Sequence, residues 1–231
     1  MPPLSLSLVV FAFNEVDNVP TVLPEIRGYL EARGAPWQLV FVDDGSTDGT
    51  LEAARAVLGD DPRCLAFSLG RNRGIGAALK AGVASATQPW VTFLPCDGQI
   101  PVEELDRLVD AVTPHTDVVF SVYADRDDGL HRKILSAGVR GLIRVVHGVT
   151  MRSDGPYLFR RTLFVPKELE PDSFFLNFEF PIRALQRRWH TETVTIRCVP
   201  RRAGVSKSAR WRVVARVARE LIALKLRQRH A

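Results

Sequence analysis

Residues 90–101 read Trp90-Val-Thr-Phe-Leu-Pro-Cys-Asp-Gly-Gln-Ile-Pro101, and this stretch decides the fold. Its apolar run ends at Pro95, and a loop that contains Asp97 and Gln99 follows. A short apolar run bounded by proline and glycine predicts a buried strand that ends in a turn. In open α/β sheets, ligands bind outside the carboxyl ends of the strands, where Asp97 would lie. An ordinary polar turn before a helix, with Pro101 at the first helical position, is the alternative.

Three further apolar runs come before this strand, and a helical pattern follows each of them. The runs are Leu6 to Phe13, Gln38 to Val42 and Cys64 to Ser68. Strands that alternate with helices predict an α/β fold with a mainly parallel sheet flanked by helices. The loops that follow these strands are therefore expected to open along one edge of the sheet.

Two of these loops are rich in acidic residues or glycine, and each has a simpler explanation. The stretch from Asp43 to Thr50 begins like a calcium loop, but Arg55 stands where the bidentate glutamate belongs. The pair Gly74-Ile-Gly76 lacks the third glycine of the dinucleotide fingerprint, because Leu79 occupies that position. A helix cap or close helix packing explains each loop in part, so only their order and spacing together indicate a site.

Composition indicates one globular unit of 231 residues with a basic carboxyl-terminal tail. Hydrophobic residues make up 46% of the chain, which is enough for a sizeable core. The net charge is +5, and the chain from Lys207 onward holds eight Lys or Arg against one acid, Glu220. This predicts a local basic surface and not a nucleic-acid-binding domain.

Cysteine usage and hydropathy indicate a cytoplasmic chain. The three cysteines show no paired spacing, which favours buried thiols in a reducing compartment. The amino terminus lacks the pattern of a signal peptide, and no apolar run has membrane-spanning length. Any membrane contact is therefore expected to be peripheral.

The motifs together resemble a known family. The segments Val9 to Glu15, Val42 to Asp48, Asn72 to Gly74 and Cys96 to Gln99 resemble family 2 glycosyltransferases, whose fold is the Rossmann-like GT-A fold. In the second half, the stretch Pro200-Arg-Arg-Ala-Gly-Val-Ser-Lys207 is similar to polyprenyl-phosphate sugar synthases, the dolichol-phosphate mannose synthase group. The pairs Arg160-Arg161, Phe178-Glu179 and Arg183-Ala184 support the same group. The resemblance runs from about residue 5 to residue 208.

This resemblance implies a donor pocket for a nucleoside-diphosphate sugar. The residues implied to bind the donor are Ala12, Phe13, Asn14, Glu15, Asp43, Asp44, Asn72, Gly74 and Asp97. Asp44 is expected to meet the base or the ribose. Neither the sugar nor the nucleoside (UDP or GDP) follows from the sequence.

The resemblance also implies a Mg²⁺ or Mn²⁺ ion held by Asp97 and Gln99. The family motif is Asp-x-Asp followed by Gln one residue on, and in this chain Pro95 replaces the first aspartate. Because fewer charged ligands remain, we expect the metal to be held weakly. A nucleotide-binding protein weakened in catalysis by Pro95 therefore stays open as an alternative.

On the acceptor side, the resemblance implies a polyprenyl phosphate bound by cations. A lipid phosphate is already ionised near neutral pH, so the enzyme must hold two anionic groups together. The residues implied for this task are Arg132, Arg201, Arg202, Ser206 and Lys207. If the acceptor is instead a hydroxyl, a base is needed, and Glu179 is the candidate.

Two amphipathic segments predict contact with a membrane surface. Residues 131–148 carry apolar side chains at helical spacing, with Arg132, Arg140 and Arg144 on another side. Residues 209–231 form a basic amphipathic helix that begins near Trp211. We assign 1–208 to the glycosyltransferase domain and 209–231 to this helix, which could alternatively pack on the domain itself or in a dimer. We therefore predict that the protein is an inverting glycosyltransferase and that it lies peripherally on the cytoplasmic face of the membrane.

Overall fold

In this computed structural model, the described part of the chain, residues 4–124, 130–169, 172–200 and 211–230, folds around one sheet. Its strands are β1 (Leu6–Ala12), β2 (Trp37–Asp43), β3 (Cys64–Ser68), β4 (Trp90–Pro95), β5 (Val118–Tyr123), β6 (Leu158–Arg160) and β7 (Thr191–Ile196). Its α-helices are α1 (Val19–Ala32), α2 (Thr50–Leu58), α3 (Ile75–Ala84), α4 (Leu105–Asp110), α5 (Leu130–His147), α6 (Leu176–Gln186) and α7 (Trp211–His230). The predicted α/β class is confirmed, and the four predicted strands are present.

The sheet is mainly parallel, with the strand order β3-β2-β1-β4-β6-β5-β7. Only the short strand β6 runs antiparallel to its neighbours, β4 and β5. Because β6 is reversed relative to both, β5 points the same way as β4. The carboxyl ends of β1 to β5 and β7 therefore lie along one edge of the sheet.

Apolar side chains cover both faces of the sheet because successive strand residues point to opposite sides. On β1, Leu8 and Val10 pack with α1 and α2, whereas Val9 packs on the other face. The second face is covered by α3 and α6, where Tyr157 stacks on Phe180 with ring centroids 5.2 Å apart. This burial on both faces explains why the strands read as continuous apolar runs.

A third apolar cluster joins α5, α6 and α7. Val217, Leu221 and Leu224 of α7 are buried against Ile143 of α5 and Ile182 of α6. Polar contacts also join α7 to neighbouring elements, among them His147 Nε2 to the Leu221 carbonyl, Ser173 Oγ to Glu220, and Gln228 Nε2 to Gln186 Oε1. One face of the carboxyl-terminal helix therefore packs on the domain.

Gly82 lets α3 approach the sheet closely. A Cβ at Gly82 would lie 2.3 Å from Cγ1 of Val9, whereas a Cβ at the exposed Gly28 of α1 would meet nothing within 4 Å. We expect Gly82→Ala to be less stable than Gly28→Ala by about 1–3 kcal/mol, because both gain helix propensity but only the first is overpacked. Urea unfolding of the two variants measures this difference. Equal stabilities would show that the contact between α3 and β1 is not tightly packed.

Candidate active site

The candidate site lies at the carboxyl ends of β2, β1 and β4, which are adjacent strands. Ala12 of β1 is paired with Asp43 of β2, and Phe11 is paired with Pro95 of β4. Neighbouring strands lie about 4.8 Å apart, so the loops after β2 and β4 open about 10 Å apart on either side of β1. The sequence-predicted donor residues of β1, β2 and β4 thus lie along one short stretch of the edge.

The loop after β1 is bound to the loop after β2. Asn14, which has a φ of 54°, donates its backbone N–H to Ser46 Oγ at 2.8 Å and accepts the Thr47 N–H at its side-chain oxygen. The Glu15 N–H is donated to Thr50 Oγ1 at 2.9 Å. Asn14 and Glu15 therefore use backbone groups and a side-chain amide to fix the shape of both loops.

Asp43 and Asp44 are buried, and both carboxylates accept hydrogen bonds within the site. Asp43 accepts the Ser46 N–H and the hydroxyl of Ser68, the latter at 2.6 Å. Asp44 accepts the N–H groups of Arg73 and Gly74, each at 2.8 Å. Burial raises the pKa of Asp44, and the two N–H bonds oppose this rise. Both aspartates shape the loops, while their contact with a nucleoside stays a prediction.

Two glycines, Gly74 and Gly76, in the segment from the end of β3 into α3 allow another part of the chain to come close. A Cβ at Gly74 would lie 2.8 Å from the carbonyl oxygen of Asp172, and one at Gly76 would lie 2.5 Å from that of Ser173. The pair therefore allows a close approach, as expected, but the approaching segment is the backbone before α6 and not a helix. A similar restriction applies at Gly45, where a Cβ would lie 2.3 Å from the backbone of Arg71.

Asp172 holds this segment, and sequence reasoning missed it. Its carboxylate is 2.8 Å from Nη2 of Arg73 and 2.6 Å from Nζ of Lys80. Burial alone raises the pKa of Asp172, but the hydrogen bonds from Lys80 and Arg73 outweigh it, so the pKa is lower than usual. Asp172 lies far along the chain from the loop that it holds, and no local motif marks it.

Asp97 lies in a tight turn directly after β4. It is 9% exposed, and its Oδ1 accepts the Gln99 N–H at 3.1 Å across Gly98, whose φ is 66°. The neighbouring Cys96 is fully buried, and burial raises the pKa of its thiol, so a neutral thiol is expected there. Asp97 is thus the acidic side chain that this loop brings to the edge.

The metal prediction can be compared with the available ligands. Within the described ranges, no group of three or more His, Cys, Asp or Glu side chains is placed to hold a metal ion. Mg²⁺ is commonly bound through one or two carboxylates together with substrate phosphates, and does not require a cage of protein ligands alone. Asp97 with Gln99 fits this second arrangement.

The loop that carries Asp97 and Gln99 is fixed to the end of β7. Gln99 accepts the Val199 N–H at its backbone oxygen, at 2.8 Å. The buried Glu104 accepts the Arg197 N–H at 3.0 Å and is paired with the guanidinium groups of Arg107 and Arg197. The chain that leads into the predicted acceptor motif therefore starts beside Asp97.

Several predicted acceptor residues lie outside the described residues. Arg201, Arg202, Ser206 and Lys207 belong to the undescribed range 201–210, and of Arg132 only the helical backbone in α5 is described. Glu179 lies in the first turn of α6 and is 0% exposed. Its carboxylate is 2.7 Å from Nη2 of Arg183 and 3.7 Å from Nη2 of Arg227. The structure therefore places Glu179 in a buried charge pair between α6 and α7.

Comparison with known proteins identifies the family. The family model described as "Glycosyl transferase family 2" matches residues 7–193. The chain belongs to glycosyl transferase family 2. This confirms the resemblance found from the motifs, and the described fold shows why the matched region begins with β1 and ends within β7.

Curated relatives in this family are similar over much of the chain. The undecaprenyl-phosphate 4-deoxy-4-formamido-L-arabinose transferase of Pectobacterium carotovorum is 34% identical over 152 residues, which is 65% of this chain and 46% of that protein. The protein of the same name from Yersinia pestis is 29% identical over 217 residues, covering 92% of this chain and 65% of that protein. The chain thus spans about half to two thirds of the length of these relatives.

Solved structures share the fold. Glucosyl-3-phosphoglycerate synthase from Mycobacterium tuberculosis, solved with Mn²⁺, UDP and phosphoglyceric acid, superposes with a TM-score of 0.70 at 20% identity. The superposition covers 97% of this chain and 78% of that protein. The same enzyme has also been solved with Mg²⁺ and UDP, again with a TM-score of 0.70. At this level of identity the likeness establishes the fold alone.

Glu104 gives a test of how the loop with Asp97 and Gln99 is supported. Burial alone raises its pKa, but the hydrogen bonds from Arg197 lower it below the usual value. A depressed carboxyl pKa contributes stability above the unfolded-state pKa, and this contribution is lost as the pH falls through the folded-state pKa. Glu104→Gln should therefore lower the free energy of unfolding at pH 7 by about 1–3 kcal/mol and flatten its decline in acid.

The matched control is Glu103→Gln at the exposed neighbouring position. For this control, the free energy of unfolding in urea should depend on pH between pH 7 and pH 3 as it does in the unmodified protein. Identical acid slopes for the two variants would contradict the assigned role of Glu104.

Proposed function

We propose that this protein transfers a sugar from a nucleoside-diphosphate sugar to a polyprenyl phosphate, with inversion, at the cytoplasmic surface of a membrane. The observation that carries the proposal is that the loops after β1, β2 and β4, the last of which holds Asp97, open side by side along one edge of the sheet in a chain of glycosyl transferase family 2. The curated relatives are, by name, undecaprenyl-phosphate sugar transferases, which supports the acceptor class.

The donor would bind along the edge at β2, β1 and β4. Asp43, Asp44 and the loop that contains Asn72 and Gly74 form the side at which the nucleoside is expected. Because these loops are joined by N–H bonds to buried carboxylates, the pocket is shaped before the donor arrives. Asp97 lies on the other side of β1, where the diphosphate is expected.

Asp97 and Gln99 would hold Mg²⁺ or Mn²⁺ together with the donor phosphates. When bound, the cation neutralises charge on the leaving diphosphate. With Pro95 in place of a second carboxylate, the chain itself supplies little negative charge to this ion. The proposal therefore includes weak metal binding without the donor and stronger binding with it.

The acceptor phosphate would bind beside this diphosphate. Val199 is hydrogen-bonded to Gln99, and Arg202 follows it by three residues, which is at most about 11 Å of extended chain. The cationic residues Arg201, Arg202 and Lys207, with the Ser206 hydroxyl and Arg132 of α5, would hold the acceptor anion. Their task is to bring two negatively charged groups together and keep them aligned.

Little proton transfer is needed for this reaction. The ionised acceptor phosphate attacks the anomeric carbon from the side opposite the diphosphate, and the result is inversion. A hydroxyl acceptor would instead need a base, and Glu179 is fully buried and paired with Arg183. The burial and pairing of Glu179 therefore favour a phosphate acceptor over a hydroxyl acceptor.

Contact with the membrane would use α5 and α7. Val145 of α5 is 84% exposed, and Ile222 and Leu226 of α7 are each 52% exposed, although the opposite face of α7 is buried. Exposed apolar side chains on basic helices favour an interfacial position. None of the described helices has the length and hydropathy needed to cross a bilayer.

The decisive experiment offers labelled UDP- and GDP-sugars with undecaprenyl phosphate, with Mn²⁺ or with EDTA. We expect one donor to give a labelled product that partitions into organic solvent, and EDTA to abolish it. Asp97→Asn should lower turnover by about 100-fold or more, because charge development on the diphosphate is then poorly compensated.

Asp60→Asn at an exposed position is the matched control for loss of one carboxylate and should retain full turnover. Tight nucleotide binding by calorimetry without lipid product from any donor would exclude the lipid-phosphate acceptor. In that case, hydroxyl-bearing acceptors would be tested in the same assay.

The second candidate function is nucleotide binding without transfer, and Pro95 favours it, since the metal loop holds one carboxylate where the family motif has two. Restoring the charge separates the two functions. We expect Pro95→Asp to strengthen Mn²⁺ binding in the presence of UDP by about tenfold, roughly 1.4 kcal/mol, through a second carboxylate ligand. Calorimetric titration of Mn²⁺ into the UDP-saturated protein measures it.

Pro95→Asn is the control, because it removes the proline and the ring restraint without adding charge. The transferase function predicts that Pro95→Asp leaves an already active enzyme active. If product appears only in Pro95→Asp, the natural chain is a binding protein.

A further inference from the structure

Asp172 contacts the segment between β3 and α3 with both its side chain and its backbone. Its carboxylate lies 2.8 Å from Nη2 of Arg73 and 2.6 Å from Nζ of Lys80. Its carbonyl oxygen accepts the N–H of Ala77, in the first turn of α3, at 3.1 Å. Lys80 also donates to the Leu169 carbonyl at 3.1 Å. The residues before α6 are therefore bound to the start of α3 at several points.

The segment that Asp172 contacts has little conformational restraint of its own. Gly70 and Gly74 have φ values of 74° and 99°, and glycine loses more conformational freedom on folding than any other residue. The shape of the segment therefore depends on contacts from outside it. At Arg73, the carboxylate of Asp44 accepts the backbone N–H, and the carboxylate of Asp172 binds the guanidinium group. Two acids from other parts of the chain thus fix the backbone and the side chain of one residue.

The ion pairs of Asp172 contribute little to global stability. The side chains of Asp172 and Arg73 are 37% and 48% exposed, and such pairs are weak. Although burial raises the pKa of Asp172, the hydrogen bonds from Lys80 and Arg73 bring it below its usual value. The carboxylate is therefore ionised at neutral pH. Its pairs act on the local shape of this segment more than on the folding of the whole chain.

The residues on either side of Arg73 are those at which the nucleoside is expected. Asn72 and Gly74 flank it, and Asp44 accepts the N–H groups of both Arg73 and Gly74. A displacement of Arg73 therefore moves two predicted donor contacts together. Because a preformed site loses less conformational entropy when a ligand binds, removal of this restraint should weaken nucleotide binding.

We propose that Asp172 is a positioning residue for the nucleotide, and that it holds Arg73 so that the backbone from Asn72 to Gly74 is shaped to receive the nucleoside. Asp172 acts on the affinity for the nucleoside diphosphate and not on the reacting atoms, which are expected near Asp97 on the other side of β1. This inference rests on the proposed function, because it requires a nucleoside-diphosphate donor.

The test measures nucleotide binding to the full chain by calorimetry, with UDP and with GDP in the presence of Mg²⁺. We expect Asp172→Asn to weaken binding of the preferred nucleotide by about tenfold, as for loss of one charge-assisted contact. In the transfer assay, the KM for the sugar donor should rise by a similar factor while kcat changes little. Asp172→Glu keeps the charge and should restore most of the affinity.

A double-mutant cycle tests whether Asp172 acts through Arg73. Arg73→Gln breaks the same contact from the other side and should weaken nucleotide binding by a similar factor. Asp172→Asn should then cause little further loss in the Arg73→Gln chain, because the restraint is already gone. Fully additive losses would show that Asp172 does not act through Arg73, and the proposal would be wrong.

Asp106→Asn is the matched control, since Asp106 forms a partly exposed pair with Arg33 at 3.1 Å on the opposite face of the sheet. Urea unfolding should give both Asn variants nearly the stability of the unmodified protein, whereas Asp172→Asn alone should bind nucleotide weakly. If the two variants bind nucleotide equally well, this inference is wrong and the proposed function is unaffected. If the unmodified chain binds neither UDP nor GDP, the proposed function is wrong as well.

Discussion

The buried carboxylate of Asp44 is the constraint on which the candidate site depends. The backbone N–H of Asp44 is donated to the Ala12 carbonyl. The two carboxylate oxygens of Asp44 accept the backbone N–H groups of Arg73 and Gly74. One residue thus joins the loops after β1, β2 and β3. Taking a carboxylate out of water is unfavourable, and the rise in the pKa of Asp44 shows that this penalty persists. The Asp44 carboxylate therefore holds the loops in shape. In turn, the N–H groups of these loops stabilise the buried charge of Asp44.

Much of this arrangement could be predicted because its signals are local. Apolar runs that stop at acidic loops identified β1, β2 and β4, and parallel alternation placed their ends on one edge. The Gly74 and Gly76 pair was also readable as a close approach. The long-range ion pairs could not be predicted from the sequence. Asp172 is 99 residues from its partner Arg73, and Glu104 is 93 residues from its partner Arg197. A lone acid in a polar stretch has no periodicity or spacing that would mark such a pairing.

The tail shows how composition can leave two structures open. Its apolar residues suit either a membrane surface or the domain's own core, and the structure buries some of them on the domain and leaves others exposed. Val217, Leu221 and Leu224 are buried, whereas Ile222 and Leu226 are exposed. Sequence periodicity could identify the helix but not the width of its buried face, because that width depends on α5 and α6, whose positions are set by long-range packing. Glu220 is the one acid of this basic tail, and it accepts a hydrogen bond from the hydroxyl of Ser173. The carbonyl oxygen of the same Ser173 lies beside Gly76.

These contacts connect the carboxyl-terminal helix to the loops after β2 and β3. Glu220 of α7 binds Ser173, the carbonyl oxygens of Asp172 and Ser173 occupy the space left by Gly74 and Gly76, and the N–H of Gly74 reaches Asp44. On the other side of the site, Glu104 and Gln99 hold the segment that leads to the acceptor motif. The two sides are thus supported by different long-range pairs. The proposed function requires cations whose positions do not relax when two anions bind, and the buried carboxylates of Asp44 and Glu104 would supply that rigidity by anchoring the backbone on both sides of Asp97.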